Sequence, residues 1–276
     1  MSLAAWRIAA AGAVLFLMAP LARAHAQTDY YNTDAGRPLQ TEDAYAIERR
    51  AIELQIAPFR LERARGGSYR WGIEPEIAVG LFPRTQFEVG FPLAHVERGV
   101  GQRQTGLAGI ELSALYNLNA ETRIPALAIA VDATLPAGPL GPDQVIPSIK
   151  GIATKTLPWA RFHLNGRVTF KESIDGSVTN AAADTPNAEL SRWVVGLAVD
   201  RTFPLQAMLL TAEVVARQPL DSSRDLTWDA AAGTRYQLSP RLATDLGGGY
   251  RLSGDDGGWY ITAGAAVALG FPWRTR

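Results

Sequence analysis

The side chains that could do chemistry in this chain are charged groups at every second position of short apolar segments. The first set is acidic: Glu53, Glu74, Glu76, Glu88, Glu111 and Asp132. The next set is mainly basic: Lys150, Arg161, His163, Arg167, Lys171 and Arg192. Toward the C-terminus the signs mix: Asp200, Glu213, Arg217, Asp229, Arg235, Asp245 and Arg251. A period of two indicates β-strands with one polar and one apolar face.

These charges would form two opposing walls of a lumen if the strands close into a barrel. The first set would be an acidic wall and the second a basic wall across a narrow space. If the walls touch, the charges pair and fill the lumen as a structural core. If water separates them, they create a transverse field that orders polar solutes and tunes selectivity. Both outcomes agree with the sequence.

The elements that must position these walls are about twelve strands. Alternation is clearest in the last one, where residues 259–271 place apolar side chains on one face and small or polar ones on the other. The segments with this period are 46–60, 70–81, 86–96, 106–118, 125–135, 145–157, 161–171, 191–202, 206–217, 226–238, 241–252 and 259–271. Residues 145–157 alternate least cleanly, because Ile152 and Lys155 break either phase. The fold predicted is all-β, an antiparallel up-and-down transmembrane β-barrel.

The connections and the aromatic residues support a membrane barrel. Short turns alternate with longer loops, as in outer-membrane barrels, where the short turns are periplasmic. Aromatic rings fall near both ends of the strands, where amphipathic aromatics prefer the membrane interface. The predicted aromatic girdle is Trp71, Trp159, Trp193, Trp228, Trp259 and Phe271. A soluble β-sandwich would not require rings at both strand ends with aliphatic residues between them.

Composition narrows the classes further. The chain has no cysteine, which excludes disulfides and thiolate chemistry. Its 27 Lys and Arg balance 27 Asp and Glu, so no basic excess points to nucleic acid. Beyond the N-terminus no apolar run is long enough for a membrane helix, and only helices and closed barrels satisfy the backbone in lipid.

The sequence also predicts how the chain is divided. Residues 1–26 have the pattern of a secretory signal peptide, with Arg7, an apolar stretch and Ala24-His25-Ala26 as the cleavage site. Residues 27–45 are polar and form either a periplasmic segment or a plug inside the lumen. Residues 46–271 form the barrel, and residues 272–276 form a C-terminal tail. The loop 172–190 is the longest and could fold inward as a constriction.

An enzymatic site has little support. Some twelve-stranded outer-membrane barrels are lipid hydrolases with Ser and His on the outer rim; His95 lies at that height, but Ser113 on the neighbouring strand faces inward. Glu74 and Glu76 could act as an acid–base pair, yet paired carboxylates are common on a pore wall. No His, Asp and Glu cluster has metal-ligand spacing. We therefore predict no catalytic residue, no metal site and no cofactor.

The N-terminal part of the predicted barrel resembles a known family. Residues 37–44 (RPLQTEDA), Ile52-Glu53-Leu54 and the paired stretches 76–81 and 87–92 are similar to the outer-membrane transporter family of the meta-pathway of phenol degradation. The resemblance implies a barrel with a signal peptide that transports small, aromatic compounds. The tail after Phe271 departs from the usual terminal aromatic residue of outer-membrane proteins.

The expected function is passive or gated passage of small molecules, including aromatic or hydrophobic compounds, through the outer membrane of a Gram-negative-type bacterium. The expected partners are outer-membrane lipids and lipopolysaccharide, the barrel assembly machinery and a small-molecule solute. The barrel is expected to be monomeric. The alternatives are a closed-lumen structural or surface-binding barrel and, more remotely, a lipid hydrolase.

Overall fold

The chain folds into fourteen β-strands in the part described by the computed structural model, which is residues 33–35, 37–64, 67–97, 103–171, 190–220, 224–254 and 257–270. In chain order the strands are β1 (Ala51–Ala64), β2 (Tyr69–Phe82), β3 (Thr85–Gly90), β4 (Leu93–Glu97), β5 (Arg103–Leu107), β6 (Ile110–Asn119), β7 (Ala126–Leu135), β8 (Ile146–Thr156), β9 (Arg161–Thr169), β10 (Ser191–Thr202), β11 (Met208–Pro219), β12 (Thr227–Ser239), β13 (Leu242–Arg251) and β14 (Gly258–Gly270). The predicted signal peptide, the loop over residues 172–189, Phe271 and the tail lie outside the described residues.

The strands close into one antiparallel barrel. From β6 to β14 each strand pairs with the next one in the chain, and β1 pairs with both β2 and β14. β2 pairs with both β3 and β4, β3 pairs with β6, and β4 pairs with β5. β3 and β4 together make one crossing of the wall, and so do β5 and β6, so the fourteen strands form twelve crossings. The prediction of an all-β, twelve-stranded up-and-down barrel is confirmed.

Two neighbouring crossings are interrupted at the same level. Pro92 has no N–H and separates β3 from β4, while Gly109, at φ 110°, separates β5 from β6. The wall is still bonded here, because Phe91 N donates to Pro75 O at 2.9 Å and Ala108 N donates to Pro92 O at 2.8 Å.

The first strand differs from its prediction. Residues 46–50 are not in a strand; β1 begins at Ala51 and continues to Ala64, instead of covering residues 46–60. Arg50 has φ 68°, and its N–H donates to Gly80 O at 2.6 Å, so a turn precedes the strand. The pairing register of β1 shifts between residues 55 and 59. A bulge of this kind lets an alternating pattern lose its phase without ending the strand.

The outward face of the barrel is apolar. Exposed aliphatic residues occur on every side, and examples are Ile77, Val131, Leu164, Val195, Leu197, Leu210, Leu246 and Ile261. A continuous apolar surface of this extent is rare on soluble monomers and matches the hydrocarbon part of a bilayer. Among the described residues, no helix is long and apolar enough to span a membrane.

The inward face contains small, polar and charged residues, and it explains the irregular β8. Ile152 is 3 % exposed and packs in a cluster with Ala44, which lies before the first strand. Lys155 lies next to the end of β8 and pairs with Glu121 in the β6–β7 turn at 3.0 Å. The phase of β8 therefore holds: the inward apolar residue is covered by the N-terminal residues rather than by another strand.

Candidate functional site

The N-terminal residues occupy the inside of the barrel. Residues 33–35 and 37–50, here called the lumenal segment, contact inward-facing side chains on many strands. Ile47 N donates to Gln86 Oε1 on β3 at 2.7 Å, and Thr262 Oγ1 on β14 donates to Pro38 O at 3.1 Å. Tyr45 and Ala46 pack against the cluster around Ala44. The segment enters at the end of the barrel where the short turns lie.

Glu213 on β11 is the main anchor for two consecutive residues of the segment. Its carboxylate accepts hydrogen bonds from Gln40 N at 2.9 and 3.0 Å, from Thr41 N at 2.9 Å and from Thr41 Oγ1 at 2.8 Å. Hydrogen bonds to a charged acceptor are stronger than neutral ones. This carboxylate therefore satisfies the backbone of an irregular stretch that has no strand partner.

Uncharged polar side chains hold the next turn of the segment. Asn165 on β9 accepts from Glu42 N at 2.9 Å and donates to Glu42 O at 2.8 Å. Thr154 Oγ1 on β8 accepts from Ala44 N at 3.0 Å, and Asn117 Nδ2 on β6 donates to Ala44 O at 2.6 Å. These partners supply, from the wall, the hydrogen bonds that a neighbouring strand would otherwise provide.

An ion network fixes the start of the segment. Arg37, fully buried, pairs with Asp34 in the segment, with Glu53 on β1 at 2.9 Å and with Asp245 on β13 at 3.9 Å. Arg235 on β12 lies 3.6 Å from Asp34 and 3.7 Å from Asp245. Of the predicted lumen residues, the structure thus brings Glu53, Arg235 and Asp245 together around a guanidinium that was not among them.

Small residues on the wall make room for the segment. A Cβ at Gly196 on β10 would lie 2.6 Å from Thr41 Oγ1, and a Cβ at Gly233 on β12 would lie 2.6 Å from Pro38 Cγ. Leu39 packs in a cluster with Ala198, Ala231 and Tyr260. In the run of glycines in β13, which has no phosphate-loop context, Gly247 serves the same purpose: its Cβ would lie 3.0 Å from Pro38 Cβ.

Asp43 links the segment to a buried cluster on β9 and β10. Its carboxylate accepts hydrogen bonds from Thr33 N at 3.1 Å and Tyr45 N at 3.0 Å, and it lies 3.8 Å from Arg161. Burial raises the pKa of Asp43 to about 6, although Arg161 opposes the shift. On the wall, Asp200 pairs with Arg161 at 2.8 Å and with His163 Nε2 at 2.8 Å.

A cavity of about 210 Å³ lies against the lumenal segment. Residues 34, 35, 38–40 and 42 of the segment line one side of it. Its carboxylates are Asp34, Glu42, Glu74, Glu76, Glu88, Glu111, Asp132 and Glu213, and its cationic groups are Arg60, Lys150, Arg167 and Arg217. Lys150 pairs with Glu42 of the segment. Carboxylates and cationic groups therefore face one open space, and the ion pair of Lys150 is with the lumenal segment rather than with an acidic residue of the wall.

Arginines cluster between the cavity and the long-loop end. Arg60 donates to Glu62 at 2.6 Å and lies over the Tyr260 ring at 3.9 Å, and Arg70 lies 3.5 Å from Glu62. On the other side of β14, Arg217 and Arg251 both pair with Asp229, the latter at 3.2 Å. These guanidinium groups are held in place by carboxylates of the wall.

The remaining predicted residues are more scattered. Lys171 lies beyond the end of β9 at Thr169 rather than within the predicted strand, and Arg192 is half-buried on β10. Four tryptophans lie near the long-loop ends of their strands: Trp71 on β2, Trp193 on β10, Trp228 on β12 and Trp259 on β14. Trp159 lies in the β8–β9 turn at the opposite end.

The structure separates the residues considered for lipid hydrolysis. His95 stacks on Trp71 with ring centroids 5.7 Å apart, and its Nδ1 lies 2.6 Å from Thr105 Oγ1. Ser113 donates to Asp132 Oδ1 at 2.7 Å on the inward face. Across the described residues, no group of three or more His, Asp or Glu is arranged to hold a metal ion.

Sequence reasoning missed several residues of this site: Arg37, Arg60, Asn117, Thr154, Asn165 and Tyr260. The predicted set contains charged residues at alternating strand positions, whereas most of these six are uncharged or lie outside the regular alternation. Asn165 and Thr154 do share the inward parity of their strands, which was a usable signal. Arg37 had no periodic signal, because its segment is not a strand.

Comparison with solved structures gives the same architecture. The COG4313 outer membrane channel from Pseudomonas putida F1 is 12 % identical, with a TM-score of 0.58 over 86 % of this chain and 100 % of that one. The NanC porin is 8 % identical, with a TM-score of 0.51 over 78 % of this chain and 98 % of that one. No family model and no curated protein match the sequence. At these identities the likeness shows a shared barrel fold.

Proposed function

We propose that this chain is an outer-membrane channel for small molecules, and that its lumenal segment keeps the channel closed until it moves. One observation carries the proposal: the segment is bonded to side chains on opposite walls, at Glu213 on β11 and at Gln86 on β3. A chain bonded across the lumen blocks passage. From residue 33 to residue 47 its bonds to the wall are to side chains and not to a strand edge, so they can break without disturbing the barrel.

The outer surface and the topology support placement in the outer membrane. The apolar outward face suits lipid, and twelve crossings return both ends of the barrel to the side of the short turns, which is the periplasmic side in such barrels. The structures with the same fold are described as an outer membrane channel and a porin. We further propose that the protein is exported through a cleaved signal peptide, is inserted by the barrel assembly machinery and contacts lipopolysaccharide.

The identity of the solute is a separate proposal. The resemblance to the phenol meta-pathway family implies aromatic compounds, whereas the cavity is lined by charged groups. Taken together, these two observations favour an aromatic solute that carries polar groups over a bare hydrocarbon. Conductance measured with and without phenolic solutes tests the aromatic part of this proposal.

A reversible crosslink tests the closing role of the lumenal segment. A Cβ at position 196 would lie 3.7 Å from Thr41 Cβ, within the roughly 3.5–4.5 Å that disulfides require. The chain has no cysteine of its own, so the double variant Thr41→Cys with Gly196→Cys contains one pair. In this pair the Thr41 hydroxyl that would clash at position 196 is also removed.

The conductance of each variant is measured by single-channel recording in a planar bilayer. We expect the oxidised double variant to be silent and the reduced form to show openings, while each single-cysteine variant responds to neither oxidant nor reductant. Equal conductance before and after reduction of a verified disulfide would show that the segment does not close the channel.

A closed structural barrel is the second candidate. It is favoured by the fully buried Arg37 and Arg235, which fill the lumen near β1 and β13 as a core would. In that case the reduced double variant is as silent as the oxidised one, although the barrel is correctly folded as judged by its heat-modifiable migration.

A further inference from the structure

The cavity holds an acidic group of side chains without cationic partners. We call this group the glutamate wall; its members are Glu74 and Glu76 on β2, Glu88 on β3 and Glu111 on β6. Among the described residues, no ion pair joins the glutamate wall to a Lys or Arg. Glu74 is 8 % exposed and lies against the Glu111 carboxyl group, with which it can hydrogen-bond only if the two share a proton. A donor that carries positive charge would replace that proton and satisfy both carboxylates at once.

The same cavity contains a cation without a carboxylate partner. Arg167 on β9 lines the cavity, and its Nε has no hydrogen-bond partner in the part of the chain that the structure describes. Its charge acts on Glu111 and Glu74, but no ion pair is formed with either. A buried guanidinium nitrogen without an acceptor is costly unless something fills that position.

We propose that the cavity is a binding site for a small zwitterion that carries an ammonium group and a carboxylate, as a free amino acid does. The ammonium lies at Glu74 and Glu111, and the carboxylate lies at Arg167. The two unpaired groups within one space of about 210 Å³ are complementary to the two ends of such a solute. A space of this size suits a small solute rather than an oligomer.

This inference rests on the proposed function, since it names the solute that such a channel selects. A simple cation would leave Arg167 unsatisfied and would be repelled by it. A simple anion would meet the glutamate wall. Only a solute with both charges satisfies the two sides, and its dipole then aligns with the field across the lumen.

Three probes of one carbon skeleton separate these cases: L-leucine, the cation 3-methylbutylamine and the anion 4-methylpentanoate. Their binding to the folded full chain in detergent is measured by isothermal titration calorimetry. We expect L-leucine to bind roughly tenfold more tightly than either analogue, as one added charge-assisted contact predicts. Arg167→Gln should abolish the advantage of L-leucine over the amine. Glu74→Gln should reduce its advantage over the carboxylate.

The matched control is Arg103→Gln, which removes an exposed arginine that pairs with Glu97 and does not line the cavity. It should leave all three affinities unchanged. Amine binding equal to or tighter than that of L-leucine, or an unchanged ratio in Arg167→Gln, would overturn the zwitterion site. Since binding in detergent needs no conduction, a silent channel that binds L-leucine contradicts only the channel proposal, and a conducting one that binds no probe contradicts only this inference.

Discussion

Glu213 shows at the scale of one residue how a charged side chain on the wall replaces a strand partner. Its four hydrogen bonds to Gln40 and Thr41 fix two backbone N–H groups that would otherwise be buried without acceptors. Asp43 does the reverse: the segment itself carries a carboxylate into the lumen. The strength of docking therefore depends on single groups whose chemistry can be altered one at a time.

Replacement of Glu213 should release the segment. Glu213→Ala leaves buried N–H donors without acceptors, and we expect docking to weaken by about 3 kcal/mol, which is roughly a hundredfold in the closed-to-open ratio. The measurement is the open fraction in single-channel records. Glu213→Gln keeps one acceptor oxygen and should fall between this variant and the wild type. An open fraction in Glu213→Ala equal to that of the wild type would show that Glu213 does not anchor the segment.

Acidification should close the channel. Because the pKa of Asp43 is about 6 in the docked segment and 3.8 in its ordinary state, docking takes up a proton. The added stability is complete below the lower value and is lost as pH rises through the higher one. Between pH 7.5 and pH 5 the closed-to-open ratio should rise roughly tenfold.

The control for this pH effect is Asp43→Asn, whose open fraction should change much less over the same range. A residual dependence is expected from Glu42, because burial raises its pKa as well. A wild-type open fraction that rises on acidification, or an Asp43→Asn response equal to that of the wild type, would contradict the assignment to Asp43.

At the scale of elements, the strands create the groove in which the segment lies. β10, β12 and β13 place glycine where the segment passes, and β14 places Tyr260 against Leu39. Other glycines have no such neighbour: nothing lies within 4 Å of a Cβ built at Gly151 or Gly166. These two glycines lie on the exposed outward face, so a methyl group added there tests the same substitution away from the groove.

Adding one methyl group to the groove should open the channel. Gly196→Ala places Cβ 2.6 Å from Thr41 Oγ1, and relief of the contact moves the hydroxyl from Glu213. Overpacking of this kind costs about 1–3 kcal/mol, so the open fraction should rise by roughly tenfold or more. Gly166→Ala on β9 is the control, and its open fraction in single-channel records should equal that of the wild type. Identical records for the two variants would show that the segment does not sit tightly at Gly196.

The strands could be predicted from the sequence because alternation reports the geometry of the backbone itself. In residues 259–270 the small and polar positions are the inward ones whatever fills the lumen. The lumenal segment could not be predicted, since an irregular chain bonded to side chains has no period. Ile152 is an example: its apolar side chain does not fit the polar inward face of β8 until the contact with Ala44 of the segment is known. The ion network at Arg37 was missed for the same reason.

At the scale of the whole molecule, two solvents define the barrel: lipid outside and a polar, charged interior. Val195 and Gly196 are neighbours on β10 that face these opposite environments, the first 45 % exposed and the second buried against Thr41. A shift of one residue in register would exchange every such pair.

Arginine at these two positions should therefore have different effects. Val195→Arg puts a cation into the lipid-facing belt, where the cost near the midplane is about 2–4 kcal/mol, and folding yield into lipid vesicles should fall. Gly196→Arg points into the interior, so the barrel should still fold while the segment is displaced and conductance increases. Equal folding yields for the two variants would contradict the assignment of the two faces.

Arg37 contacts strands on either side of β14, which is where the first and last strands of the barrel meet. The segment that we propose to close the pore is thus also a clamp across the closing seam. When it withdraws, the seam keeps its backbone ladder but loses its internal brace. We therefore expect permeability and resistance to unzipping to be coupled through one guanidinium, with the conducting form the first to be opened by heat or detergent.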